Sequence, residues 1–231
     1  MISNLIHRIK RNWMKLRLRP IRVFCMHHVC AEFDAESMNA CDWMEIDEFK
    51  KKVTNMQKIG VEFISLTDAY SHVRKDWWRS KKYAVLTFDD GYALLKEILP
   101  WLNEQHIPAT LFINGKYLDG KSYRKNPKER YLTKEELDPL YELYPLITIG
   151  SHGWEHNRVS NMTDAEFVES IERNVGVLQN LSNYVPFWAY TYGNHTAISD
   201  KFLYGKKIIP VYIDGLMNYN DTKIIHRELL Q

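Results

Sequence analysis

The chain has 231 residues, 45% of them hydrophobic and 13% aromatic, which suits a single domain with a sizeable core. Its net charge is +2, yet seven Lys or Arg and no acid fall between Met1 and Arg22, and the other 24 bases face 29 acids. That balance argues against nucleic acid as a partner, and no run approaches the ~20 apolar residues of a membrane span.

Along residues 1–20, Ile2, Leu5, Ile6, Ile9, Trp13 and Leu16 recur at helical spacing, with Arg8, Lys10, Arg11 and Lys15 on other faces. Residues 2–16 therefore read either as a basic amphipathic helix in peripheral contact with an anionic membrane or as a helix docked on the domain or a second subunit. This start has a signal peptide's charge without its apolar stretch. Cys25, Cys30 and Cys41 form no C-x-x-C pair. Both features set the expectation of a cytoplasmic protein with reduced thiols, lying against the inner face of the membrane if the helix binds there.

From 21 to 231 strands and helices alternate, as one domain. Strands are predicted at Arg22–Met26, Val61–Leu66, Tyr83–Phe88, Ala109–Ile113, Leu146–Ile149, Phe187–Tyr190 and Ile208–Ile213. A helical stripe runs from Met44 to Ile59 and ends at Gly60; Thr67 or Asp68 is the expected cap of the next helix, and another runs to about Gln105. Thr133-x-x-Glu136 and Thr163-x-x-Glu166 are capping boxes. Residues 115–132 read as a long surface loop. Alternating β and α imply a mainly parallel sheet, open or closed, with ligands at the C-terminal ends of its strands.

Three polar segments fall at such ends. In Leu86-Thr87-Phe88-Asp89-Asp90-Gly91, two adjacent carboxylates follow an apolar strand, which is costly unless something positive lies beside them. A divalent ion on one leaves the other ionised as a base; the simpler reading is a cap for the next helix. In Gly150-Ser151-His152-Gly153-Trp154-Glu155-His156, two imidazoles close in sequence can meet one ion. The same run fits H-x-x-E-H, a metalloprotease signature with Glu155 as base, but Gly150 and Gly153 weaken the helix it needs. Two His and a carboxylate also suit an iron oxygenase. The third segment, Trp188-Ala189-Tyr190-Thr191-Tyr192-Gly193, is a turn able to aim a backbone N–H, or a Tyr-rich strand that simply packs.

Together these segments resemble the NodB-like polysaccharide deacetylases, carbohydrate esterase family four. Thr87 to Gly91 match that family's T-F-D-D-G; His152 and His156 match its H-S/T-x-x-H, with Gly153 in place of Ser or Thr. Met26-His27-His28-Val29 is similar to Y-H-x-V, and Ile107 to Phe112 to I-P-A-T-x-F. The resemblance implies a distorted (β/α) barrel of about seven strands. It implies metal ligands Asp90, His152 and His156 for zinc, cobalt, nickel or another divalent ion, with Asp89 as general base and the Tyr192 N–H as oxyanion donor. The substrate implied is an N-acetylated (or O-acetylated) amino sugar on a polysaccharide, lipid or nucleotide carrier. Two departures stand out. Ala189 and Thr191 replace the Arg and Pro of R-x-P-Y, and that Arg normally pairs with the base. His226 is the one candidate near the position of the late general-acid His, and Arg227 beside it reads as a structural Arg. With the base's partner missing, a non-catalytic glycan-binding relative is the alternative.

Overall fold

The computed structural model describes residues 20–32, 43–75, 81–119, 130–218 and 224–230. The segment read as a helix over 2–16, Cys41, and residues 120–129 of the polar stretch lie outside the described residues.

The strands are β1 (Arg22–Met26), β2 (His28–Cys30), β3 (Trp43–Glu45), β4 (Val61–Phe63), β5 (Lys82–Phe88) and β6 (Ala109–Ile113), then β7 (Ile147–Ser151), β8 (Tyr184–Ala189), β9 (Ile209–Ile213) and β10 (Ile225–Leu229). Seven form a parallel ring in the order β1-β10-β9-β8-β7-β6-β5. It closes where Arg22–Met26 pair with Ala84–Phe88. β4 lies outside the ring against the first residues of β5, and β2 and β3 make a separate small sheet.

Alternation along the strands sorts the core into two shells. Val23, Val85, Phe112, Phe187, Ala189, Val211 and Ile225 fill the barrel. Phe24, Leu86, Phe88, Leu111 and Ile149 face outward into a second cluster, to which Phe49 and Val53 of helix α1 (Ile46–Lys58) also belong. Leu66, Ala69 and Val73 of α2 (Leu66–Lys75) join the inner shell beside Ile21, the residue before β1, so this helix plugs the end at which the strands begin.

The helices differ from the sequence reading mainly at their ends. Met44 belongs to β3, and the Glu45 side chain caps α1. Ser65, not Thr67 or Asp68, caps α2: its Oγ accepts from the Asp68 N–H at 3.0 Å and donates to the Asp68 carboxylate at 2.7 Å. The helix expected up to Gln105 is a 3₁₀ turn over Ala93–Glu97 followed by α3 (Leu99–Glu104), with Pro100 in its first turn. Both expected capping boxes form, at α4 (Lys134–Leu137) and, after α5 (Leu140–Leu143), at α6 (Asp164–Leu178). A third, Thr196 with Ser199, starts α7 (Ala197–Gly205). A Ser at the third helical position is weaker sequence evidence than Glu or Gln, so this start escaped notice.

Gly150 lies on the barrel side of β7, where an added Cβ would fall 2.5 Å from the Phe112 ring and 3.2 Å from the Phe187 carbonyl oxygen. Gly176, inside α6, has open space at that position. Gly150→Ala should destabilise by about 1–3 kcal/mol through overpacking, and Gly176→Ala should stabilise by up to about 1 kcal/mol through helix propensity. Urea unfolding of the two variants should move the midpoint in opposite directions.

Candidate active site

The first motif forms one wall. The Asp89 N–H donates to the Met26 carbonyl at 2.8 Å, continuing the β1–β5 pairing past the end of the strand. Asp90 (φ 70°) and Gly91 (φ 79°) then both take left-handed conformations and turn the chain sharply. Asp tolerates this region better than most residues. At position 91 an added Cβ would also come 2.6 Å from Ile113 Cδ1. The turn leaves both carboxylates buried, pointing to different partners.

The Asp90 partners lie in the loop that follows β7. The His152 N–H donates to the Ile113 carbonyl (2.9 Å), and Asn114 Nδ2 donates to the His152 carbonyl (2.6 Å). His152 Nδ1 lies 2.8 Å from the Ala189 carbonyl oxygen, an acceptor, so it carries the proton. Nε2 is thereby left as a lone pair 3.4 Å from Asp90 Oδ1, and His156 Nε2 lies 3.1 Å from the same oxygen. That oxygen is buried and accepts no hydrogen bond. These three ligand atoms lie within 4.8 Å of one another, close enough to hold a cation between them. Two imidazole nitrogens and one carboxylate oxygen suit zinc, cobalt or nickel, so the residues present fit a divalent metal. Burial works against charge on Asp90, but the two histidines hold its carboxyl well below the usual range. Burial likewise opposes charge on His152, yet the Asp89 and Asp90 carboxylates raise its imidazole above the ordinary value, so a proton competes with an ion for the Nε2 lone pair.

Asp89 is held by Arg227, which sequence reading took as structural. From β10, the fully buried guanidinium forms a fork, with Nη1 donating to Oδ1 at 2.6 Å and Nη2 to Oδ2 at 2.9 Å. Nη1 also donates to Thr87 Oγ1 (3.1 Å), whose hydroxyl donates to the Phe24 carbonyl (2.8 Å). Burial pushes the Asp89 carboxyl up, but Arg227 and then His152 outweigh it and hold it down at about 2. The pair's stability is therefore present above the unfolded carboxylate range and is lost only as pH falls toward about 2. The Cys25 thiol donates to Asp89 Oδ2 at 3.3 Å, and burial raises it well above its usual value.

The other expected residues divide. The Tyr192 backbone (φ 56°) sits in a 3₁₀ turn after β8. Its exposed ring meets His156 edge-on at 4.5 Å and carries the Arg158 guanidinium at 4.2 Å. Thr191 Oγ1 donates to the Asn157 carbonyl and ties this turn to the His156 loop. His226 precedes Arg227 on β10 and so faces the opposite side of the strand. There Nδ1 pairs with Asp214 at 2.7 Å and the ring meets Tyr212, so the structure does not bring it to the cluster. Residues 152–156 are not helical, and Glu155 is drawn away to Lys116 (2.9 Å), which removes the metalloprotease reading. The residue missed is His27, in the bend after β1, which joins Cys25 and Asp89 within 4.8 Å. Its signal was the Y-H-x-V likeness, matched to no role.

The sequence profile of the polysaccharide deacetylases matches residues 78–204. That span holds Asp89, Asp90, His152, His156 and Tyr192 but neither His27 nor Arg227. The fold is similar to IcaB from Ammonifex degensii, with 19% identity, 92% of each chain covered and a TM-score of 0.76. It is also similar to the de-N-acetylase from Aggregatibacter actinomycetemcomitans (16% identity, 91% of this chain and 94% of that one, TM-score 0.74). A third likeness is to the Streptococcus pyogenes deacetylase PplD in complex with acetate (16% identity, 91% and 92%, TM-score 0.76). At these identities the likeness is one of fold. A search of curated protein sequences finds no match.

Removing Arg227 would strand a buried carboxylate. Arg227→Ala should cost about 3–5 kcal/mol, and adding Asp89→Asn to it should recover part of that loss. Guanidinium unfolding of the two single variants and the double variant measures the coupling; additive losses would show that the pair is not energetically linked.

Proposed function

The chain belongs to the polysaccharide deacetylase family, and on that premise we propose that it is a metal-dependent hydrolase that removes acetyl groups from amino sugars of a glycan. The observation carrying this reading is the pairing of a donor-free Asp90–His152–His156 cradle with a neighbouring carboxylate, Asp89, saturated by Arg227. Its donor set favours zinc, cobalt or nickel, and an ion bound there supplies Lewis acidity, polarising a carbonyl and lowering the pKa of water to about 7. Asp89 takes the proton as water adds to the acetamide carbonyl. Negative charge gathers on the carbonyl oxygen, where the Tyr192 N–H is the proposed donor. As the C–N bond breaks, His27 gives the leaving nitrogen its proton. Free amine and acetate are the products. His27 takes this role in place of His226, which faces away. Arg227 also weakens the case for a purely glycan-binding relative, since the base has its positive partner after all.

Acetate release from N-acetylated glycans should stop on chelation and return with a divalent ion. Asp89→Asn should keep the metal, by elemental analysis, and lose about 10²–10⁴-fold in turnover. Full turnover in that variant removes Asp89 as the base.

The basic segment over 2–16 supports a further proposal, contact with an anionic membrane that carries a lipid-linked substrate. Deleting residues 1–19 should abolish co-sedimentation with anionic vesicles and leave acetate release from soluble glycans intact. Unchanged sedimentation refutes the contact.

A further inference from the structure

We propose that the chain carries a second metal site, formed by Cys25, His27 and Asp89, which takes a thiophilic divalent ion and blocks the hydrolytic site when filled. Cys25 points into the barrel from β1, His27 occupies the bend after it, and Asp89 follows β5, the partner of β1. Cys25 Sγ lies 3.3 Å from Asp89 Oδ2, and all three ligand atoms fall within 4.8 Å of one another. Zinc bonds of about 2.0–2.3 Å set tetrahedral ligand atoms roughly 3.3–3.8 Å apart, so only a small closure is required. His27, half-buried in a bend, is the ligand placed to make it.

The donor sets of the two sites differ. Asp90, His152 and His156 offer nitrogen and oxygen, whereas this one adds sulfur, and thiolate selects zinc-like ions over magnesium or calcium. Binding displaces the thiol proton to solvent. Once that proton has left, thiolate and Asp89 carboxylate together outweigh the Arg227 charge and hold the ion. The ion would take Oδ2 in place of the Nη2 hydrogen bond at 2.9 Å, while Nη1 keeps its 2.6 Å bond to Oδ1. Asp89 Oδ2 is 3.9 Å from His152 Nε2, so the two ions would be close neighbours and repel. The sulfur site therefore fills second and more weakly. Filled, it occupies both Asp89 and His27. The block on turnover, unlike the site itself, rests on the reading of those two as base and acid.

Cobalt(II) titration of the metal-free full chain tests the site directly. The first equivalent should bind without a sulfur-to-cobalt charge-transfer band in the near ultraviolet, and the second should bring that band in. Cys25→Ala should lose the band and the second equivalent while keeping the first; Cys25→Ser serves the same purpose if the alanine variant does not fold. Saturation at one equivalent, or a band that survives loss of Cys25, overturns the site. In the activity arm, excess zinc should inhibit acetate release, and Cys25→Ala should raise the inhibiting concentration at least tenfold; unchanged inhibition overturns the block. A second equivalent with its band but no inhibition upholds the site and overturns only the block, with the roles given to Asp89 and His27.

Discussion

The contact on which the rest depends is the fork between Arg227 and Asp89. It joins the last strand of the ring to the strand of the first motif, across β1, which lies between them. Taking both charges out of water is expensive, and a bidentate geometry offsets that cost only when the remaining donors are also satisfied. Thr87 meets part of that need, accepting from Nη1 and donating its own hydroxyl to the Phe24 carbonyl, while Nε has no hydrogen-bond partner among the described residues. The same contact orients the carboxylate at the mouth and fastens β10 into the barrel, so closure of the fold and readiness of the site are coupled.

Two adjacent carboxylates in one buried place would ordinarily raise each other's pKa. Here the left-handed turn at Asp90 and Gly91 separates their fates. Asp89 faces a cation that the protein supplies, with donors on both oxygens. Asp90 faces two imidazoles, one of which the Ala189 carbonyl orients so that its lone pair points inward, and Oδ1 is left without a donor. Both stay ionised, Asp89 through a cation that the protein itself supplies and Asp90 beside two imidazoles that can share an ion with it.

Much of this was legible in the sequence. The ring strands through β9 announced themselves as short apolar runs, and the Asp–Asp and His-x-x-x-His segments fell at strand ends, where a parallel barrel collects its chemistry. β10 was harder. His226, Arg227 and Glu228 interrupt its apolar pattern, and nothing local says that an Arg will be buried, because its partner lies 138 residues away in sequence. His226 looked the better candidate for the same reason: proximity in sequence to the expected position carries no information about the face of a strand. His27 was hidden by being one of two consecutive histidines, and only the backbone bend decides which of them approaches Asp89.

The departure at position 189 and the burial of Arg227 are best understood as one adjustment. Side chains pointing inward from any strand of a small barrel converge near its axis, so a cation for Asp89 need not come from β8. Ala189 lies in the inner cluster and fills little of it. An Arg there would compete with Arg227 for the same carboxylate and bring a second buried cation with no partner of its own. With a small side chain at 189, space remains for the guanidinium from β10, while the 189 carbonyl, which any residue would supply, fixes the His152 tautomer. The positive partner that the likeness placed on the third segment comes here from the last strand, and it holds Asp89 ionised from that side of the barrel.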